Sequence, residues 1–167
     1  MYKILKQYVP SILIAVVISL FVRVYVAEAM KVPTGSMIPT IQVNDHLIVE
    51  KMLWLTTLEH GDIVVFTPPV AGEEENRYVK RLIGLPGDTV EIKESSLYRN
   101  GVKVEEPYLK ETMNYAFGPV TVPADHYFFL GDNRNISYDA HLWDEPFVSK
   151  DELIGKVIAE IPTHVLY

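Results

Sequence analysis

Residues 8–27 form a nearly uninterrupted apolar run close to the start of the chain. The first part of the run carries no charge, Arg23 interrupts it, and apolar residues continue to Ala27. A helix of that length spans about 30 Å, the thickness of the hydrocarbon core of a bilayer. Arg23 lies near one end, where its side chain can reach the headgroups, and Tyr8 and Tyr25 suit the two interfaces. The run therefore predicts a transmembrane anchor.

Two other interpretations of this run stay open at the level of sequence. A cleaved signal peptide would need small residues at its cleavage site, which Ala27 and Ala29 offer. A helix buried in the core of a soluble domain is the second. As an anchor, the run divides the chain into a short cytoplasmic N-terminus (1–7), the span (8–27) and an extracytoplasmic body (31–167).

The charge of the chain is unevenly distributed. Residues 1–30 carry +2 and the remainder −9, which gives the formal net charge of −7. Lys3 and Lys6 favour a cytoplasmic N-terminus by the positive-inside rule, although Arg23 and Lys31 lie on the far side. The body would then face outward from the cytoplasmic membrane, in contact with membrane lipid. The acidic balance argues against a nucleic-acid partner.

Cysteine is absent from the chain. That absence excludes a disulfide framework, a thiolate metal site and a cysteine nucleophile. The sequence also lacks an HExxH motif, paired-histidine spacing and a glycine-rich phosphate loop. We therefore expect neither a metal nor a cofactor.

The body has the pattern of a mainly antiparallel β domain. Short runs rich in β-branched residues alternate with glycine and proline turns. The predicted strands are HLIVE (46–50), DIVVF (62–66), YVKRLIG (78–84), DTVEIK (88–93), HYFFLG (126–131) and GKVIAEI (155–161). Asn100-Gly101 predicts a type I′ hairpin turn, because both central positions need positive φ. Residues 73–76 are expected to form an exposed loop, and residues 103–112 a solvated surface stretch.

Ser36 lies in the segment VPTGSMIPT, between two prolines and directly after Gly35. The segment is either a polar turn that ends the apolar helix or a rigid frame around a reactive serine. No GxSxG elbow surrounds Ser36. The five histidines are scattered along the sequence, so a serine–histidine pair stays open, since triads are recognised by geometry.

Lys80 is flanked on its face of the predicted strand by Tyr78 and Leu82, so the strand pattern allows it to be buried. Burial lowers the pKa of a lysine by disfavouring the ammonium form. A lysine with a pKa near 7–8 can act as a general base at neutral pH. The alternative is a surface lysine beside Arg81.

The stretch GDNRNISYDAHLW (131–143) concentrates polar residues after an apolar strand. Such a stretch usually forms a tight loop with internal hydrogen bonds. The functional alternative is a set of residues that orients a catalytic group.

Three stretches taken together resemble the ordered motifs of type I signal peptidases. They are VPTGSMIPT, then GDIVVF with YVKRLIGLPGD, then GDNRNISYD, and they cover about a quarter of the chain. The closing FVSKDELIGKV is also similar to the family's ending. The resemblance implies a membrane-anchored serine endopeptidase with an antiparallel β catalytic domain. It would remove signal peptides from exported preproteins after small residues, in sites of the Ala-X-Ala type.

The resemblance also assigns roles to residues. Ser36 would be the nucleophile and Lys80 the general base, with an oxyanion hole formed by the Thr34 hydroxyl and the Ser36 N–H. Ser137 would orient the lysine. Structural roles in the loop go to Asp132, Asn133, Arg134 and Asp139. Substrate pockets would be lined by Val32, Met37, Ile41, Tyr78 and Val79.

The resemblance further implies that the segment around Ser36 is extended, so that its edge can pair with the substrate backbone. Tyr78, Phe129 and Tyr138 would keep Lys80 dry. Residues 52–55 (Met-Leu-Trp-Leu) either touch the lipid surface or form a buried cluster.

One position departs from the family pattern. The chain reads Asp139-Ala140-His141 where the family usually has Asp-Ser-Arg. A histidine lacks the forked contact of arginine and is charged only at lower pH. We expect His141→Arg to leave activity intact and to raise thermal stability.

Two rival functions remain open. One is a Ser–Lys peptidase of narrow purpose, such as a self-cleaving repressor or an organelle inner-membrane peptidase. The other is a tethered, non-catalytic β domain that binds or scaffolds exported proteins. A turnover assay separates the second from an enzyme.

Overall fold

The computed structural model describes residues 2–163, beginning with a long apolar helix. Helix α1 (Tyr2–Phe21) continues into a single π-helical turn, Val22–Val26. From Tyr8 to Val26 this helical segment is long and apolar enough to cross a membrane, and none of it is buried against the rest of the chain. The alternative of a buried core helix is therefore wrong.

Eleven strands follow in the part of the chain that the structure describes. They are β1 (Ala27–Lys31), β2 (His46–Glu50), β3 (Ile63–Phe66), β4 (Tyr78–Gly84), β5 (Thr89–Lys93), β6 (Ser96–Arg99), β7 (Val102–Lys103), β8 (Phe117–Thr121), β9 (His126–Leu130), β10 (Val148–Ser149) and β11 (Leu153–Ile161). A short 3₁₀-helix, Lys150–Glu152, precedes β11.

The strands form two sheets in which all hydrogen-bonded neighbours are antiparallel. The larger sheet has the order β1-β2-β11-β3-β4-β9-β10, and the smaller has the order β7-β6-β5-β8. The larger sheet curls. Arg77, just before β4, reaches Glu28 of β1 with a 2.7 Å ion pair, although three strands separate β1 from β4 in the sheet. The curl leaves a gap between these strands.

The predicted mainly antiparallel β fold is confirmed. β2 and β4 have the predicted bounds, and the other predicted strands agree to within two residues. Asn100 and Gly101 connect β6 and β7 with φ values of 54° and 78°, as the hairpin signal requires. The sequence did not predict β1, which begins at the last residue of the expected span, Ala27.

Two apolar cores lie on either side of the larger sheet's centre. One contains Phe66, Leu82 and Phe129, and lies under the smaller sheet. The other contains Val32, Met37, Ile41, Leu47, Val49, Val65 and Val79. The second core holds the segment that carries Ser36 against β4, which carries Lys80.

Candidate active site

Ser36 lies in a series of tight turns that follows β1. Ile38 N–H donates to the Gly35 carbonyl at 3.2 Å, and Ile41 N–H donates to the Met37 carbonyl at 3.0 Å. The expectation of an extended segment is therefore wrong. Threonine, glycine, serine and proline side by side favour turns, and this local preference decides the backbone. The buried side chain of Met37 anchors the turns in the core.

Lys80 is buried in the middle of β4, with 4% of its surface exposed. Its partner on β3 is the apolar Val64, and its amine lies 5.2 Å from the centre of the Tyr78 ring. Burial lowers the pKa of Lys80 to about 8, although the carboxylates of Asp139 and Asp132 act in the opposite direction. The burial that the strand pattern allowed is thus observed, and the alternative of a surface lysine is wrong.

A cleft of about 500 Å³ opens in the gap between the turns after β1 and the start of β4. Ser36 and Lys80 both line this cleft, as do Thr34 and the apolar side chains of Val32, Met37, Tyr78 and Val79. Ile41 does not line it and is instead buried in the second core. Phe129 is buried against Phe66 rather than exposed in the cleft.

Ser137 approaches Ser36 at the end of β9. A Cβ atom on Gly131 would collide with the hydroxyl of Ser137 and would lie 2.5 Å from the carbonyl oxygen of Ser36. Only glycine allows both groups to come this close. The Ser137 hydroxyl is buried and has no hydrogen-bond partner among residues 2–163. Its predicted bond to Lys80 stays a prediction.

Comparison with known proteins gives one consistent result. The family model described as "Signal peptidase, peptidase S26" matches residues 5–161. The chain belongs to this family. It is 45% identical over 146 residues to "Probable signal peptidase I-2" of Synechocystis sp., covering 85% of this chain and 66% of that protein. It is 41% identical over 160 residues to "Signal peptidase I" of Leptolyngbya laminosa, covering 92% and 78%.

A solved structure agrees with the sequence comparison. The crystal structure of a signal peptidase I from Enterococcus faecalis V583 is 35% identical to the chain. The superposition has a TM-score of 0.53 and covers 62% of this chain and 98% of that one. Both the β fold and the family predicted from the motifs are therefore confirmed.

In this signal peptidase, two forked ion pairs fix the loop after β9. Asp132 receives two bonds from Arg81, at 2.8 and 2.6 Å, and one from the Thr40 hydroxyl at 2.5 Å. Arg134 forms the second fork with Glu106, at 2.9 and 2.6 Å. The sequence singled out Asp132 and Arg134 but neither of their partners.

Glu106 corrects one expectation directly. Residues 103–112 were predicted to be a solvated stretch, yet only 5% of the Glu106 side chain is exposed. The pair is formed because Arg134 is fully buried and needs a counter-charge. Ion pairs between distant segments leave no periodic signal, so the sequence could not reveal this one.

Asp139 has different partners. It accepts a bond from Gly131 N–H at 2.8 Å and contacts His141 Nδ1 at 2.6 Å. The His141 ring stacks on Tyr115 with 3.9 Å between centroids. The position where the family usually has arginine is thus occupied by a histidine that keeps contact with the carboxylate.

Glu73 is a cleft residue that the sequence missed. Residues 73–76 were expected to be an exposed loop, but Glu73 is half-buried, lines the cleft and accepts a hydrogen bond from the Tyr78 hydroxyl. Burial and then this bond raise the pKa of Tyr78. Three consecutive glutamates are typical of an exposed loop, so the sequence does not show that Glu73 alone turns inward.

Within the described residues, no group of three or more histidines and carboxylates could hold a metal ion. The polar side chains that line the cleft include those of Thr34, Ser36, Glu73 and Lys80.

Proposed function

We propose that Ser36 and Lys80 form the catalytic dyad of this signal peptidase. By its family the chain is a serine endopeptidase, a hydrolase that removes signal peptides. The observation that carries the proposal is a buried lysine, with a pKa of about 8, that opens onto the same cleft as Ser36. Serine needs an adjacent base to become a nucleophile, and a neutral amine can serve.

The lowered pKa of Lys80 raises the fraction of the neutral amine, the form that can act as a base, at pH 7. At pH 7 about one lysine in 3,000 is neutral when its pKa is 10.5, whereas about one in ten is neutral when it is about 8. The gain in active base is about 300-fold. The apolar surroundings of β4 therefore make Lys80 a usable base near neutral pH.

The reaction follows from these two groups. Neutral Lys80 takes the proton of the Ser36 hydroxyl as the oxygen bonds to the scissile carbonyl carbon. When the C–N bond breaks, the ammonium returns the proton to the leaving amine. Water, deprotonated by Lys80, then attacks the acyl-serine, and the Ser36 hydroxyl is restored.

The negative oxygen of each tetrahedral intermediate would be held by the Ser36 N–H and the Thr34 hydroxyl. Both residues line the cleft, and the Thr34 hydroxyl lies 3.4 Å from the Ser36 hydroxyl. Removing one such donor typically costs about 10²–10³-fold in rate. Ser137, whose buried hydroxyl has no other partner in the described chain, would orient the Lys80 amine.

Substrate selection would depend on the apolar walls of the cleft. Val32, Met37 and Val79 are almost fully buried, so they have little freedom to move aside for a large side chain. Such walls accept small residues and reject larger ones by steric clash. We expect preproteins with alanine at the first and third positions before the cut.

Helix α1 would anchor the enzyme in the cytoplasmic membrane, with residues 1–7 inside, 8–27 spanning and 31–167 outside. Lys3 and Lys6 support this orientation through the positive-inside rule. β1 follows the apolar segment directly, so the cleft would lie close to the outer surface, where a signal peptide's cleavage site emerges.

Residues 52–55 would add a lipid contact beside the anchor. Lys51 N–H donates to the carbonyl of Val26, the last residue of the apolar segment, at 2.9 Å. Trp54 and Leu55 in the adjoining turn are 79% and 64% exposed, which excludes a buried cluster at these two positions. An exposed tryptophan beside the end of a span suits the membrane interface.

The lipid contact can be tested by fluorescence, because Trp54 and Trp143 are the two tryptophans. In a Trp143→Phe variant in vesicles, we expect brominated lipids to quench Trp54. A Trp54→Ser variant leaves only the buried Trp143 and should not be quenched. Unquenched Trp54 would remove the contact.

The proposed function is tested by cleavage of a preprotein with an Ala-X-Ala site in detergent. Wild type should cut at that site, and Ser36→Ala and Lys80→Met should not. Lys93→Met, which removes an exposed lysine, is the matched control and should keep full activity. An inert wild type would favour the non-catalytic binding domain, and an active Lys80→Met would exclude Lys80 as the base.

A further inference from the structure

Asn133 fastens the peptide group that precedes the nucleophile. Its side-chain amide donates to the carbonyl oxygen of Gly35 at 3.1 Å, and its backbone N–H donates to the carbonyl oxygen of Ser36 at 3.0 Å. Two consecutive carbonyl groups of the turn are thus held by one residue, almost one hundred positions away in the chain. The sequence placed Asn133 only among the structural residues of the loop.

The bond to Gly35 has a consequence for Ser36. The Gly35 carbonyl and the Ser36 N–H belong to the same peptide group, which is trans. In a trans peptide the two bonds point in opposite directions. Holding the carbonyl toward Asn133 therefore holds the Ser36 N–H away from it. That N–H donates to no acceptor among the described residues, so it is free to bind an oxygen of a substrate.

Within the turn, the Gly35 carbonyl also accepts from Ile38 N–H at 3.2 Å, so the Asn133 amide is the donor that ties it to another segment. Gly35 has no side chain, and glycine adopts a wider range of backbone angles than any other residue. We therefore expect the Asn133 bond to limit rotation of the peptide between Gly35 and Ser36. The opposite orientation would direct a carbonyl oxygen toward the developing oxyanion.

We infer that Asn133 is a positioning residue that sets the direction of the oxyanion-binding N–H of Ser36. This inference rests on the proposed function. Asn133 itself is not required to touch the substrate, and its effect comes through the Gly35–Ser36 peptide. Because the donor must be oriented before the reaction begins, losing its support affects the transition state more than the ground state.

The test compares two variants with a control. Asn133→Ala removes the amide, and Asn133→Asp replaces its donor with an acceptor of the same size. Asn135→Ala is the matched control, because Asn135 lies in the same loop but bonds to Asn114 and Thr112, not to the Ser36 turn. Each is assayed on an Ala-X-Ala preprotein and with a peptide aldehyde, whose adduct with Ser36 places an oxyanion in the hole.

We expect Asn133→Ala to lower kcat by about 10- to 100-fold with KM within about twofold, and to weaken aldehyde binding by a similar factor. The pH at which activity rises should stay the same. Asn135→Ala should match wild type. If Asn133→Ala does not fold, Asn133→Asp decides, since it keeps the volume of the side chain.

Three results would overturn the inference: unchanged kcat in both Asn133 variants, a rise in KM alone, or an equal loss in Asn135→Ala. The assays distinguish a failure of the inference about Asn133 from a failure of the proposed function. Active wild type with unimpaired Asn133 variants contradicts the inference alone, whereas inert wild type contradicts the proposed function as well.

Discussion

Lys80 is influenced by two buried carboxylates whose counter-charges differ. Asp132 is held in a fork by Arg81, which is charged at every physiological pH. Asp139 instead contacts the imidazole of His141, at 2.6 Å from Nδ1, and has no arginine partner among the described residues. Both carboxylates act to raise the pKa of Lys80, and Asp139 has the larger effect. One carboxylate is therefore paired with a guanidinium through two hydrogen bonds, and the other with an imidazole through one.

The two pairs also differ in what surrounds them. Arg81 donates to the Gly61 carbonyl at 2.8 Å and stacks on Tyr108 at 3.9 Å, and Asp132 also binds Thr40 on the Ser36 turn. The Asp132 pair thus joins several segments of the fold. The Asp139 pair is more local, because its polar partners are Gly131 and His141 at the two ends of one loop. The comparison indicates that Asp132 mainly supports the fold, and that Asp139 mainly adjusts Lys80.

Asp132→Asn should have the largest effect. It leaves the buried guanidinium of Arg81 without its carboxylate, and breaking a buried pair costs about 3–5 kcal/mol. We expect a fall in Tm of about 10 °C, together with loss of activity as the Thr40 contact weakens. Asp144→Asn, an exposed control, should have the Tm of wild type. Equal Tm values for the two variants would refute the structural role of Asp132.

Lys80→Met should inactivate the enzyme but stabilise the fold. The pKa of Lys80 is about 8 in the folded state, below its ordinary value of 10.5, so the unfolded chain binds the proton more tightly. Burying Lys80 therefore lowers the free energy of unfolding. This destabilisation is fully present below pH 8 and disappears as the pH rises to about 10.5. We expect a gain of about 3 kcal/mol at pH 7, from urea unfolding.

The pH dependence is the control for this effect. The same comparison near pH 10.5 should show little gain from Lys80→Met. A gain that does not depend on pH would mean that better packing, not the removed charge, explains the stabilisation.

Much of the fold could be predicted from local pattern, and the errors have a common cause. β2 alternates between buried and partly buried residues, and β4 is rich in apolar and aromatic residues and precedes the turn signal Pro86-Gly87, so their bounds follow from sequence. β1 has the sequence AEAMK, which lacks strand residues and forms through pairing with β2. Its strand conformation depends on tertiary contacts, which composition does not report.

Some residues of the candidate site could likewise be found from the sequence, and others only from the structure. Ser36 and Lys80 could be identified because the motifs around them resemble those of the family, whereas their local sequence alone left other interpretations open. The contacts of Glu106 and Asn133 could not be predicted, because each bonds to a residue far away in the sequence. Glu73 bonds to Tyr78, only five residues away, but nothing in the sequence distinguishes it from Glu74 and Glu75. Resemblance marked Asn133 as part of a loop, and only the geometry showed what it holds.

Asp139→Asn should have a moderate effect on stability, and it should also change the pH dependence of kcat/KM. The amide oxygen of asparagine can still accept from Gly131, but the charge beside Lys80 is lost. Because Asp139 raises the pKa of Lys80, removing it should lower that pKa. We expect the rise of kcat/KM with pH to occur at lower pH than in wild type. A rise at higher pH would reverse the assignment.

His141→Arg should have the smallest effect on the fold. Like Asp139→Asn, it should shift the rise of kcat/KM to lower pH. A permanent positive charge compensates Asp139 and so lowers the pKa of Lys80. We expect kcat/KM at alkaline pH to lie within twofold of wild type and to begin its rise at a lower pH than in wild type. We expect Tm to be higher by about 2–4 °C. His141→Gln, which cannot carry charge, should not raise Tm. An unchanged Tm in His141→Arg would exclude a weak ion pair at this position.

Burial of the Lys80 amine lowers its pKa, and NMR can measure that pKa directly. The lysine side chains of the Ser36→Ala protein, labelled with ¹³C and ¹⁵N, would be titrated in detergent, with Lys80→Met assigning the signal. The account predicts a midpoint near pH 8 for Lys80. A midpoint at the ordinary value of 10.5 would contradict it, because Lys80 would then be charged at neutral pH and unable to activate Ser36.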